Sequence, residues 1–215
     1  EEARKQQEAA AKAAEEEAEK QEAEVLARQI AEEAERQRVA AEEAAKIAQS
    51  VVTLESGTVG LIAGSGTAIF GGDGSAATDA GVANPEGIVM DGDGNLYISS
   101  DNRIRRVDAT TGVITTIAGT GSPSYGGDGA AAVDAMFKIP QGLALDSAGN
   151  LYIADSDNGR IRKIAIASGI ITTAAGGGMP KRVGGVMQTG DGGLATDAWF
   201  KDARDVEFDA NDNMY

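Results

Sequence analysis

Hydrophobic positions divide the chain into two regimes. Over residues 1–50 the large apolar residues are few: Val25, Leu26, Ile30, Val39 and Ile47. Ala23, Leu26, Ile30, Ala34, Ala41, Ala45 and Ala48 mark an approximate stripe at spacings of three, four and seven, the period of one helix face. No Gly or Pro interrupts it, so one unkinked helix is predicted over about residues 5–48. From residue 51 the pattern changes to short runs rich in Val, Ile, Leu, Thr and Tyr, separated by Gly, Asn, Asp and Ser. Such runs predict strands joined by tight turns. In the clearest stretch they fall at about 142–146, 150–155, 160–165 and 170–175.

These runs repeat. Gly-Asn-Leu-Tyr-Ile occurs at 94–98 and again at 149–153, and Asp212-Asn213-Met214-Tyr215 begins a third copy. Around them recur Gly-Asp-Gly at 72–74, 127–129 and 190–192, and an Asp-Ala pair six residues later, at Asp79, Asp134 and Asp197. Pro85-Glu86-Gly87 and Pro140-Gln141-Gly142 follow, whereas the third copy has Ala203 and Asp205 in place of Pro and Gly. Self-similarity at such a period signals a solenoid or propeller. Four short strands per unit make a β-propeller blade, whose faces are buried only by stacking on neighbours. The expected blades are 87–119 and 142–176, each antiparallel with its first strand innermost.

In order, the motifs Pro-x-Gly, Gly-Asn-Leu-Tyr-Ile-Ala-Asp, Asn158-Gly159-Arg160-Ile161-Arg162-Lys163, Thr-Ile-Ala-Gly and Gly-Gly-Asp-Gly resemble NHL repeats over about residues 52–215. The resemblance implies an all-β propeller with four-stranded antiparallel blades, usually six of them. Only two near-complete units lie here, so the propeller is incomplete in this segment. The domains read as a long Ala/Glu-rich helix or coiled-coil-like spacer at 1–50 and a partial propeller at 51–215. Residues 51–64 match the third and fourth strands of a unit. Such a piece closes the last blade, which would put the helix at the closure seam.

Composition sharpens the boundary. All 29 Gly and all 4 Pro lie beyond residue 50, while residues 1–50 hold 16 Ala, 14 Glu and 8 Lys or Arg. The helix would reach about 75 Å, supported by i,i+4 pairs such as Glu24–Arg28 and Glu32–Arg36. It serves either as a solvated spacer or as a surface laid on another protein. Net charge is −15, made of −6 in residues 1–50 and −9 beyond, which argues against nucleic acid as a partner. No apolar run approaches a membrane span. The start at Glu1 without Met reads as an internal window of a longer protein. There is no Cys and no His, so this segment supplies neither a usual zinc site nor a His base, and it is expected not to be an enzyme.

The candidate sites are loops. Asp73, Asp128 and Asp191 of Gly-Asp-Gly are taken as structural, capping loop amides, with loss of Asp128 costing about 1 kcal/mol. They are expected on the same face as Asp101, Asp155 and Asp157. Asp91-Gly92-Asp93-Gly94-Asn95 mimics the start of a calcium loop but sits between strands, so a hairpin turn is favoured and no cofactor or Ca²⁺ is expected. Arg103, Arg105, Arg106, Arg160, Arg162 and Lys163 are offered either to RNA or to the Asp-rich loops, with the loops favoured. The loop 177–189 is six residues longer than its counterpart and carries Met179, Lys181, Arg182 and Met187. These four, with Asp101, Asp155 and Asp157, form the possible interaction surface. The expected function is a non-catalytic protein-interaction or scaffold module of a larger assembly, contacting other proteins in part through the helix. The alternatives are a ligand-sensing or lyase-like propeller with its site in other blades, and an extracellular sensor.

Overall fold

Tight turns leave each strand run no partner nearer than the next one, and the sheets follow that rule. The structure, a computed structural model, describes residues 2, 20, 21, 24–39, 42, 60–183 and 186–215. One sheet holds β1 (Pro85–Met90), β2 (Leu96–Ser100), β3 (Arg103–Val107) and β4 (Ile114–Ala118) in that order. A second holds β5 (Pro140–Leu145), β6 (Leu151–Asp155), β7 (Arg160–Ala165) and β8 (Ile170–Gly176) in the same order. Every neighbouring pair is antiparallel. Each sheet starts two residues earlier than expected, at the proline. As the first residue of its strand the proline costs little by its missing N–H.

The two four-stranded sheets are blades of an incomplete NHL-type propeller. β1 and β2 pack on β5, which makes the first strands neighbours across the seam. The core lies between the blades. Tyr97, Ile104 and Ala118 of the first meet Leu143, Leu151, Ile153, Ile164 and Ile171 of the second, with Phe137 of the connecting loop between them. The other face of the second blade buries Ala144, Ala154, Ile161 and Ala175 against Val206, Phe200 and Phe208 of the third copy. Each fully buried Ile or Leu contributes about 1.5–3 kcal/mol. The third copy has begun to pair: Glu207 and Tyr215 exchange two backbone hydrogen bonds of 3.1 and 2.9 Å.

The long connections between blades do two further jobs. Residues 129–132 pair with the start of β8, through Gly129 N–H to Ile171 O at 2.8 Å and Ala132 N–H to Gly169 O at 2.8 Å. The outermost strand therefore has part of its edge covered, as edge strands require. The same connection carries the Gly-Asp-Gly turn. Gly127 has φ +90° and packs directly on Ala135, which accounts for the recurrent Asp-Ala pair. The loop 177–189 contains a hairpin of β9 (Lys181–Val183) and β10 (Val186–Gln188), with Met187 opposite Arg182 and Gln188 opposite Lys181.

The chain divides into two units, Glu1–Lys46 and Ile47–Tyr215. In the first, residues 24–39 are continuously helical and exposed. Arg38 pairs with Glu35 at 2.8 Å and with Glu42 at 3.8 Å. The predicted pairs Glu24–Arg28 and Glu32–Arg36 do not close among the described residues. The rest of the helix predicted over 5–48 lies mostly outside the described residues, as do residues 51–59 of the proposed closing strands. Among the described residues no helix is long and apolar enough to cross a membrane.

Candidate functional site

Two kinds of carboxylate emerge, and the chain order of each unit explains both. The first closes the β1–β2 and β5–β6 hairpins. Asp91 Oδ1 accepts the backbone N–H groups of Asp93 (3.0 Å) and Asn95 (2.8 Å), while Oδ2 accepts Asn95 Nδ2 (2.8 Å) and Tyr97 OH (3.1 Å). Asp146 repeats this with Ala148, Asn150 and Tyr152, and Asp209 with Asn211, Asn213 and Tyr215. Burial pushes the Asp146 carboxyl up, but the Asn150 donors and Lys163 outweigh it and leave it below its ordinary value. This is the hairpin turn expected over 91–95, with its carboxylate consumed by N–H and O–H donors. Among the described residues no three carboxylates gather as a metal-holding group.

The second kind clasps an arginine. Arg105 and Arg162, in the middle of β3 and β7, are fully buried. A β-bulge aims them: Ile161 pairs with Ala175 but Arg162 with Thr173, leaving Ala174 as the extra residue, and β3–β4 skips Ile117 in the same way. Arg162 donates to Asp128 Oδ1 from Nη2 (2.7 Å) and Nε (3.2 Å), and to the carbonyls of Gly126 (3.0 Å) and Met136 (3.3 Å). Asp128 Oδ2 accepts the hydroxyls of Thr173 (2.6 Å) and Tyr125 (2.9 Å). Burial raises the Asp128 carboxyl, yet Thr173, Arg162 and Tyr125 together hold it below its ordinary range. In the first unit Arg105 meets Asp73 at 2.7 Å and the carbonyls of Gly71 and Gly81 at 3.2 Å.

The expectation that Asp73 and Asp128 cap loop amides is therefore corrected. Their partner is a buried guanidinium more than thirty residues downstream, brought back by the blade's own winding. Asp191 is exposed and meets no arginine among the described residues. Asp155 is also corrected, from surface to core. It is fully buried 3.3 Å from Arg162, accepts Lys138 N–H (2.8 Å) and Asn158 Nδ2 (2.8 Å), and is pushed up by that burial. The contacts of Arg162 with both Asp128 and Asp155 place those two loops on one face, as expected. Asp157 remains half-exposed beside Lys138 (3.3 Å), and Asp101 beside Arg103 (3.1 Å).

The sequence reading missed Phe70 and Tyr125, which stand two residues before Gly-Asp-Gly in their units. The guanidinium of Arg103 lies 3.8 Å over Phe70, and that of Arg160 3.8 Å over Tyr125. Their shared offset from the motif was the available signal. On the same side, Asn84, Glu86, Asp101, Asn102, Ile139 and Pro140 line a cavity of about 250 Å³ between the blades. One seam further on, the equivalent positions are knitted together: Ser156 Oγ lies 2.8–2.9 Å from Gln141 Oε1, Asp202 Oδ1 and Ala203 O.

Of the predicted interaction residues, Met179, Lys181, Arg182 and Met187 come together on the β9–β10 hairpin and its approach. Met179 is 80% and Met187 50% exposed, and Val186 and Leu194 add further exposed apolar surface. Among the described residues neither Lys181 nor Arg182 meets a carboxylate.

Residues 36–124 match the teneurin NHL domain and residues 137–164 the NHL repeat. A curated relative, the chloroplastic protein Suppressor of Quenching 1 of Arabidopsis thaliana, is 31% identical over 102 residues, covering 46% of this chain and 10% of its own length. A solved structural-genomics protein of unknown function from Bacteroides thetaiotaomicron shares 23% identity with a TM-score of 0.48, over 60% of this chain and 31% of its own. The chain thus spans a tenth of the one and about a third of the other.

Proposed function

We propose, starting from a chain that carries NHL repeats, that it acts as a non-catalytic protein-interaction module of a larger assembly. The blades form a rigid platform, the loops at one face present contacts, and the N-terminal helix is a spacer or anchor. The observation that carries this reading is the β9–β10 hairpin. It interrupts an otherwise regular repeat and exposes Met179, Val186 and Met187. It also adds two cations to a propeller part of net charge −9. Flexible Met side chains adapt to a partner's surface, and loops on a rigid scaffold are where binding concentrates. Burial of Arg105 and Arg162 against aspartates removes the basic positions best placed to attract RNA, which supports protein rather than nucleic acid as the partner class.

The test immobilises the full chain and a variant carrying Met179→Ser, Lys181→Glu, Arg182→Glu and Met187→Ser, and quantifies the proteins each retains from a lysate of the native cells. The hairpin residues are exposed, so each substitution should change stability by no more than about 0.5 kcal/mol. A defined set of proteins held by the parent and lost by the folded variant is expected. Equal retention by both refutes the hairpin as the contact, and no specific retention by the parent refutes the interaction reading itself.

A further inference from the structure

The two arginine clasps are built alike but are not equally satisfied. In the second unit every donor has an acceptor: Arg162 Nε and Thr173 Oγ1 share the Asp128 carboxylate. In the first unit the same two donors, Arg105 Nε and Thr116 Oγ1, are buried and have no partner among the described residues. They belong to cross-strand partners, as Arg162 and Thr173 do. Buried donors left unmade are costly, and each calls for an explanation.

Two differences in sequence account for the gap. Tyr125 holds Asp128 in place by a 2.9 Å hydrogen bond to Oδ2, and Phe70 has no hydroxyl with which to hold Asp73. Asp73 therefore meets Arg105 at Nη2 and leaves Nε unserved. In addition, Asp155 gives Arg162 a second carboxylate, whereas Ser100 occupies the equivalent position in the first unit. Arg105 thus faces one negative charge where Arg162 faces two.

We infer that the first unit holds a small monovalent anion of halide size beside Arg105 Nε and Thr116 Oγ1, replacing the carboxylate oxygen that serves this position in the second unit. The anion accepts both orphaned donors and brings the charge around Arg105 to that around Arg162. Burial of both donors excludes a bulky oxyanion. Arg162, whose donors are all taken, holds none.

Bromide is the probe. Crystals of the full chain soaked in bromide should give an anomalous peak within hydrogen-bond distance of Arg105 Nε and Thr116 Oγ1, and none beside Arg162. In solution, bromide at about ten times its dissociation constant should raise the thermal midpoint by about 2 °C or more relative to gluconate at equal ionic strength. Phe70→Tyr, which recreates the Tyr125 arrangement, should abolish that rise. Thr116→Val should weaken it even if Phe70→Tyr folds poorly. The inference is overturned by water alone at the site, by Asp73 turned to serve both donors, or by a peak at crystal concentration with no midpoint shift in solution. An equal shift in Phe70→Tyr overturns it as well.

Discussion

Replacing Asp128 by Ala probes the clasp most directly. The substitution removes the acceptor of two Arg162 donors and of the Thr173 and Tyr125 hydroxyls at once. A hydrogen bond to a charged group is worth about 1.5–3 kcal/mol net, and these bonds share one carboxylate, so they do not add. Breaking a buried ion pair by deleting one partner costs about 3–5 kcal/mol. Arg162 is fully buried but the Asp128 side chain is 33% exposed, so water enters the vacated space and moderates the loss. Asp155 and two carbonyls also stay with the guanidinium. The expected loss is about 2–3 kcal/mol, clearly above the ~1 kcal/mol of a simple cap. Urea unfolding followed by Trp and Tyr fluorescence measures it in the propeller unit alone, because residues 1–50 contain no aromatic residue. Asp128→Asn, which keeps one acceptor, should fall between. A loss of 1 kcal/mol or less for Asp128→Ala, or additive losses for Asp128→Ala and Arg162→Met in a double-mutant cycle, would refute the clasp as an energetic unit.

Three further outcomes follow from the same contacts. Tyr125→Phe turns the second clasp into the likeness of the first, and should cost about 1 kcal/mol by urea unfolding, the worth of one hydrogen bond. Gly142→Ala places a Cβ inside the Asp205 carboxylate and against the Arg204 backbone at the next seam, so it should destabilise by about 1–3 kcal/mol through strain, also read by urea unfolding. Asp146 has a folded carboxyl value below its ordinary 3.8, so its stabilisation is full above the unfolded value and is lost as pH falls through the folded one. Asp146→Ala should therefore lower stability near neutrality and flatten the loss as pH falls below about 4, whereas a parallel curve at all pH values contradicts the linkage.

The blades were legible because every level of the sequence agreed on them. Strand-length apolar runs, Gly-Asn turns and a repeated order of motifs placed each sheet within two residues of where it stands. The Asp91 and Asp146 hairpins were legible for a similar reason, since donor and acceptor lie within six residues of each other. That the third-strand arginines pair with the Asp-rich loops was legible in outline, and Arg105 and Arg162 do so, but the capping role given to Asp128 and the surface place given to Asp155 were misread because the particular partner is remote. Nothing local in Gly-Asp-Gly announces an arginine 34 residues on, and the run Asp155-Ser156-Asp157-Asn158 has the composition of an exposed turn. Arg162 itself broke the simple alternation of β7, because the bulge opposite it buries Ile161 and Arg162 in succession.

Acidity in this chain therefore has two physical meanings, which composition cannot separate. Glu residues of the helical stretch 24–39 are solvated and set net charge. Aspartates of the blades mostly act as acceptors inside the fold, tying a hairpin or fastening an inter-blade loop to the third strand of the blade it wraps. The loop that carries Asp128 also covers the start of β8 and contributes Phe137 to the seam core. Loosening the clasp thus frees an edge strand and opens a seam together. Charge at Asp128 is therefore spent on holding the inter-blade loop and through it the stacking of the blades, whereas Lys181 and Arg182 of the β9–β10 hairpin meet no internal carboxylate among the described residues, which is why the proposed contact is placed there.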